Sequence, residues 1–318
     1  MKTWTDLFLD YLRAERNDSP FTVEYYGYDL AEFRKFIESL GQDLDWRFVK
    51  ADDVREWIIY LLDEQGLSAA SVNRKISVLR SFYRYLRMVK MVDVNPMEKV
   101  TAPKKARPLP AFVRESEMDR LLEITQEDRS FNGVRDRLVL MMFYETGVRR
   151  AELLGMKDAD VDTETMQVKV VGKRNKQRIL PFGPEVREAI ESYLTERAVL
   201  VTDGSDDCRP RSGALFVHRP SRPKTATYRR MTPEEVGSTV HHYLSLVTTQ
   251  RKRSPHVLRH TFATVMLNNG ADLEAVKELL GHESLQTTEI YTHTTFAELR
   301  KEYNKAHPRS QQKAGDTQ

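Results

Sequence analysis

The chain has 318 residues, 40 % of them hydrophobic, a net charge of +3 and a single cysteine, Cys208. That length holds about two domains, and that apolar fraction supports packed cores and excludes a disordered chain. One cysteine excludes an intramolecular disulfide and an all-cysteine metal site, and fits a reducing, intracellular setting.

The N-terminal stretch "MKTWTDLFLDYLRAER" meets a charge by Asp6 and never builds the apolar run of a signal peptide. No segment reaches the roughly 18 apolar residues of a membrane span, so a cytoplasmic protein is expected. The first ninety residues read as four helices, "WTDLFLDYLRAER", "TVEYYGYDLAEFRKFIESLG", "KADDVREWIIYLLDEQG" and "SAASVNRKISVLRSFYRYLRMVK", each apolar at three- and four-residue intervals. Thr22 and Ser68 stand at expected N-caps, and Gly41 and Gly66 close the second and third helices. Arg74, Lys75, Arg80, Arg84, Arg87 and Lys90 give the fourth helix a basic face. Four prolines and four cations then crowd "VNPMEKVTAPKKARPLPAF", which reads as an extended linker. A second domain starts near Val113.

That domain is mixed. "ESEMDRLLEITQ", "VRDRLVLMMFYETG" and "PEVREAIESYLTERAVLV" have helical periodicity, whereas "TMQVKVVGKRNKQRILPF" holds two β-rich runs around a short hairpin turn. "ALFVH" offers one further strand, and the pattern after Thr232 is helical again through "HVLRHTFATVMLNNG" and "DLEAVKELLG". The tail "HPRSQQKAGDTQ" is polar and expected to be disordered. The domains expected are therefore 1–94, helical; 95–112, a basic Pro-rich linker; 113–306, mixed; and 307–318, a tail. Charge is uneven as well: residues 208–271 hold eleven Lys and Arg against two acids, +9 there and −6 elsewhere. Such a run is either a solvated face or a polyanion-binding surface, and composition does not decide between them.

Several short stretches could carry chemistry. In "SPHVLRHTFAT", Ser254 can cap a helix that starts at Pro255, which sets His256 in its first turn and His256, Arg259 and His260 on one face. An Arg and a His beside a helix N-terminus make an anion site; a packed histidine with an ordinary salt bridge is the plainer alternative. The histidine spacing also matches a zinc-binding helix, but Val257 stands where that motif needs Glu and Arg259 would repel a cation, so no metal is expected. In "ETGVRRAELLGMK", Gly147 ends one helix, and Glu152 three residues after Arg149 could hold that guanidinium in a fixed pose or form only a surface pair. The hairpin turn supplies Lys173, Arg174 and Lys176, either solubilising or able to donate a proton. Finally, "HESLQTTEIYTHT" sets Tyr291 among four threonines between two histidines, an unusual setting for a packing residue.

Taken in order, "TGVRRAEL", "GK" in a hairpin, "HVLRHTFAT", "LLGHES" and "TTEIYTHT" resemble the signature of tyrosine recombinases, most of all the bacterial Xer type. "SPFTVEYYGYDLAEFRKF" resembles their core-binding domain, so the likeness covers nearly the whole chain. The resemblance implies a mainly α fold with a small β-sheet: a four-helix SAM-like core-binding domain and a mixed α+β catalytic domain, closing as a C-shaped clamp on DNA. It implies that Arg149 and Arg259 grip the scissile phosphate, His256 assists proton transfer, and His282 donates to a non-bridging oxygen. Lys173 would protonate the leaving 5′ oxygen and Tyr291 would attack to form a 3′-phosphotyrosine, with Glu152 and His260 in support. Relatives commonly read "GKGNKER" in the hairpin, whereas Arg174 stands here where glycine is usual.

DNA contacts are expected from Arg74, Lys75, Arg80, Lys104, Lys105 and Arg107. Two guanidiniums and two imidazoles can stabilise a phosphorane-like transition state without a metal ion, and the Tyr–DNA bond conserves the phosphodiester energy, so no cofactor is expected. The implied partners are a double-stranded recombination site, further copies or a second recombinase in a tetramer, a C-terminal helix ("FAELRKEYNKA") exchanged between protomers, and a DNA-translocase activator. Resolution of chromosome or plasmid dimers is the implied role. A mobile-element integrase, a type IB topoisomerase and a DNA-binding protein without catalysis are the rivals. The first helix begins by about Thr3, which leaves no room for the arm-binding domain of many integrases and favours the Xer type.

Overall fold

A computed structural model describes residues 2–104, 111–172, 175–202, 213–219, 229–281 and 296–310. The chain divides into two units, Met1–Pro108 and Leu109–Gln318.

The first unit is built on α1 (Trp4–Ala14), α2 (Pro20–Ser39), α3 (Ala51–Asp63) and α4 (Ala69–Met88). Thr3 and Asp6 cap α1 reciprocally, and Ser68 caps α4 as expected. α2 begins one turn earlier than expected: Ser19, not Thr22, is its N-cap, because the fixed φ of Pro20 suits the first helical position. Gly41 and Gly66 end α2 and α3 with φ of 74° and 60°, the left-handed backbone that favours glycine. The core is aromatic. Phe33 meets Trp57 edge-on at 5.0 Å, and Trp46, on the α2–α3 connection, meets Phe82 at 4.7 Å; each such pair adds roughly 0.5–1.5 kcal/mol beyond its buried area.

The start of the expected linker is not extended. Asn95 caps a 3-10 turn over Pro96–Lys99, and Met97 and Val100 are buried. Donors on α4 hold it down: Arg80 Nη2 donates to the Val100 carbonyl at 2.9 Å and Asn73 Nδ2 to Pro103 at 2.8 Å. Lys104 is the last described residue of this segment, and 105–110 lie outside the described residues.

The second unit forms around α6 (Phe131–Thr146), whose residues Leu138 to Thr146 are all buried, the pattern of a helix packed on every side. α5 (Glu115–Glu127), α8 (Pro184–Thr202), α9 (Pro233–Val247) and α10 (Pro255–Asn268) surround it. The short α7 (Arg150–Gly155) leads to an antiparallel sheet of β1 (Val161–Asp162), β2 (Gln167–Val171) and β3 (Gln177–Pro181), in which Val168 faces Leu180 and Val171 faces Gln177. The further strand expected in "ALFVH" is β4 (Val217–His218), paired with β5 (Arg229–Arg230). The mainly α fold with a small sheet is thus as the sequence led us to expect.

α11 (Leu273–Leu280) and α12 (Phe296–Ala306) complete the unit. α12 packs on α10, α11 and β3 of its own chain, burying Tyr303 and Ala306. The tail does not become disordered at 307. His307 is buried, stacked 5.1 Å from the Tyr303 ring, and Arg309 reaches Asp119 at 2.7 Å and pairs with Glu185. Gly183 explains the close fit: a Cβ there would stand 2.0 Å from the Arg309 carbonyl oxygen. Beneath this docked tail lies Glu145, pushed up to about 8 by complete burial and by the nearby Glu185 charge. Residues 311–318 lie outside the described residues. No helix among the described residues is long and apolar enough to cross a membrane.

Candidate functional site

The site grows from the end of α6. Gly147 closes that helix with φ 60°, and a Cβ on it would stand 2.4 Å from the Phe262 ring, so only glycine fits both the turn and the neighbour. Two residues on, Arg149 is the N-cap of α7 and Glu152 its third residue. The Glu152 carboxylate accepts from the Arg149 backbone N–H at 2.8 Å and from Arg149 Nη1 at 2.8 Å. The spacing that suggested support is realised by a helix-capping geometry.

α10 brings the second arginine. Pro255 takes its first position as expected, although the Ser254 side chain makes no capping bond. His256 stays exposed in the first turn, and His260 is half-buried. Arg259, only 8 % exposed, donates to the Gly147 carbonyl and, at 2.5 Å, to that of Leu280. Arg149 Nη2 donates to the Gly281 carbonyl at 2.6 Å. Both guanidiniums therefore converge on the C-terminal end of α11, where the helix leaves carbonyls without intrahelical partners. Burial and the neighbouring Arg149 charge push Arg259 down to about 10, which still leaves it charged at neutral pH. Two cations held this close make a site that favours an anion.

A third arginine, not singled out in the sequence, completes the cluster. Arg178 on β3 forks onto Glu152 with bonds of 2.7 and 2.9 Å, and its Nε donates to the Leu279 carbonyl at 2.8 Å. Its signal was the strand period: Arg178 shares a face with the buried Leu180, so a cation occupies an inward position. Burial alone would raise the Glu152 carboxyl. The Arg178 fork and the Arg149 N–H outweigh it and hold the group at about 2.

A group whose folded pKa is depressed stabilises above its unfolded value, near 4.5, and loses that stability as pH falls toward 2. Glu152→Gln should therefore cost on the order of 3 kcal/mol at neutral pH, the difference shrinking below about pH 4.5. Urea melts of both proteins across that range check it, and a difference independent of pH would contradict it.

Lys173, Arg174, His282 and Tyr291 lie outside the described residues. Their immediate neighbours do not. The Gly172 N–H donates to the Lys176 carbonyl at 2.7 Å, and a Cβ on Gly172 would stand 3.2 Å from Glu152 Oε1. Gly281, the residue before His282, packs under Arg178 and Arg149, where a Cβ would stand 3.1 to 3.3 Å from their guanidinium nitrogens. Thus Arg149, Glu152 and Arg259 come together, with the residues preceding Lys173 and His282 against them.

The expected DNA contacts of the first unit fare differently. Lys75 is a correction. It is 6 % exposed, with its Nζ 3.0 Å from Asp29 and 2.7 Å from Glu32, so it neutralises carboxylates between α2 and α4 and presents no charge to a ligand. Arg74 is half-exposed, paired with Asp29 at 2.7 Å and lying over the Tyr25 ring. Arg80 is spent in part on Val100, Lys104 is exposed, and Lys105 and Arg107 lie outside the described residues.

Comparison with known proteins gives matches over nearly the whole chain. Residues 111–298 match the model of the phage integrase family, and residues 5–90 match the phage integrase N-terminal SAM-like domain. The tyrosine recombinase XerC of Oceanobacillus iheyensis is 40 % identical over 316 residues, covering 98 % of this chain and 97 % of the relative. That of Chlorobaculum tepidum is 38 % identical over 330 residues, covering 96 % and 95 %. Among solved structures, the XerH site-specific recombinase bound to a palindromic difH substrate aligns with a TM-score of 0.67 at 20 % identity, over 94 % of this chain and 84 % of that one, a likeness of fold.

Proposed function

From the premise that the chain belongs to the phage integrase family of tyrosine recombinases, we propose that it is a XerC-like site-specific recombinase that cuts and rejoins DNA through a 3′-phosphotyrosyl bond. The observation that carries this reading is the convergence of Arg149 and Arg259 on the carbonyls of Leu280 and Gly281, at the exit of α11 from which the segment bearing His282 and Tyr291 departs. A phosphodiester placed there meets two guanidiniums. The Tyr291 oxygen attacks phosphorus and loses its proton, the bond to the 5′ oxygen breaks, and Lys173 supplies that oxygen with a proton. Charge gathered on the non-bridging oxygens is stabilised by Arg149, Arg259 and the imidazoles of His256 and His282. Attack by another 5′ hydroxyl reverses the step and exchanges strands, with neither metal nor ATP consumed.

In this reading the protein acts in the cytoplasm as a tetramer on paired sites, alone or with a second recombinase, and resolves chromosome dimers, with a DNA translocase as activator. α12, which here packs on its own unit, is exchanged between protomers in that assembly. Trapping on a nicked suicide duplex, with sequencing of the captured DNA, tests the reading. Capture of one chromosomal site and exchange between partners support it. Capture at the ends of a mobile element points to an integrase, and relaxation without exchange to a topoisomerase.

The basic run over residues 208–271 adds an expectation about affinity. If six or more phosphates are neutralised, the dissociation constant should rise by about 10³-fold or more between about 50 and 200 mM salt. Titrations at several salt concentrations measure the slope, and a flat slope means the run merely faces solvent.

A further inference from the structure

Glu152 is a hub. Its carboxylate is 2 % exposed and accepts four hydrogen bonds, two from Arg149 and two from Arg178. The division is unequal. Arg178 faces it as a fork, whereas Arg149 spends one guanidinium nitrogen on it and another on Gly281. Three successive carbonyls, Leu279, Leu280 and Gly281, each accept from a different guanidinium, those of Arg178, Arg259 and Arg149. Gly172 rests against Glu152 Oε1 itself. Arg149 and Arg178 both join the two halves of this frame, but only Arg178 grips both carboxylate oxygens with its guanidinium while its Nε holds the end of α11.

We propose that Arg178 is a positioning residue of the strand-transfer site. It locks Glu152 and the exit of α11 together, so that Arg149, Gly172 and Gly281 share one rigid reference. The inference rests on the recombinase reading above. An ordinary ion pair would need only opposite charges, which lysine supplies. The frame needs three N–H donors in a plane, two for the carboxylate and one for Leu279, which an ammonium cannot place at once. Among the described residues, the three charges of Arg149, Arg178 and Arg259 face one carboxylate, so Arg178 also keeps Glu152 from cancelling Arg149.

The test compares wild type, Arg178→Lys, Arg178→Met, Glu152→Gln and the double variant Glu152→Gln/Arg178→Met on the nicked suicide duplex, with DNA affinity and thermal melts measured beside single-turnover cleavage. Arg178→Lys should bind DNA within about threefold of wild type and cleave about 10²-fold more slowly, the scale of loss from a misplaced reacting group. Glu152→Gln should lose a similar factor, and the double variant should cleave no more slowly than the worse single, because both residues act through one frame. Should Arg178→Met fail to fold, Arg178→Lys and the double variant, in which no carboxylate is left unpaired, carry the comparison. Wild-type cleavage matched by Arg178→Lys overturns this inference alone, as do losses that multiply in the double variant or that appear equally in affinity. A wild-type chain that forms no adduct overturns the recombinase reading and this inference with it.

Discussion

Replacement of Tyr291 by phenylalanine will abolish the covalent protein–DNA adduct while leaving DNA binding nearly intact. Only one oxygen is removed, and affinity for a duplex rests on backbone phosphates rather than on a single phenol. In the proposed mechanism Tyr291 is the attacking group, so adduct formation should fall by more than about 10⁴-fold. The described phenols of the second unit strengthen the expectation. Tyr144, Tyr193, Tyr243 and Tyr303 are all buried, and burial pushes each hydroxyl upward, away from ionisation. A phenol with an ordinary value near 10 already needs its proton removed during attack. One sealed in a core is neither ionisable nor within reach of a phosphate. An SDS-stable complex retained by Tyr291→Phe would move the nucleophile elsewhere and end the assignment.

What the sequence showed of this site, and what it hid, follows from the reach of each interaction. Arg149 and Glu152 were legible together because three residues at a helix start place a carboxylate on its own N-cap. The pairing of β2 with β3 was legible because apolar residues alternate on both sides of a polar turn. Arg178 was not, since its bond to Glu152 crosses from strand to helix over 26 residues and appears only once the sheet is placed. The carbonyls of Leu279, Leu280 and Gly281 were invisible in principle: a backbone acceptor has no residue type. Lys75 misled for the opposite reason. A cation count along α4 cannot know that Asp29 and Glu32 of α2 stand opposite it. The tail misled likewise, because the burial of His307 and the anchoring of Arg309 depend on a bare surface at Gly183 and on acids of α5 and α8.

Lys173→Ala should cripple cleavage of ordinary DNA, by about 10²–10⁴-fold, the usual worth of a positioned general acid. The 5′ alkoxide is a poor leaving group until protonated. A bridging 5′ phosphorothiolate departs as a thiolate, which needs little help because thiols are far more acidic than alcohols. Lys173→Ala should therefore recover most of its rate on that substrate. Arg149→Ala and Arg259→Ala should not, because in the proposed mechanism their guanidiniums answer charge on the non-bridging oxygens, which the sulfur leaves unchanged. The same comparison settles which hairpin lysine acts. Val171 pairs with Gln177, the last pair before the connection from β2 to β3, in which Asn175 takes φ 60°. Its two ends are tied by the Gly172 N–H on the Lys176 carbonyl, and its first residue rests on Glu152. Lys173 follows directly from that anchored end, whereas Lys176 begins the return toward β3. Arg174 lies between the two lysines, and a shift of the chain there would exchange them. If Lys176→Ala shows the phosphorothiolate rescue and Lys173→Ala does not, the loop is displaced by that residue and Lys176 is the acid. If neither is rescued, the proton comes from outside the hairpin, and His256, exposed in the first turn of α10, becomes the group to change next.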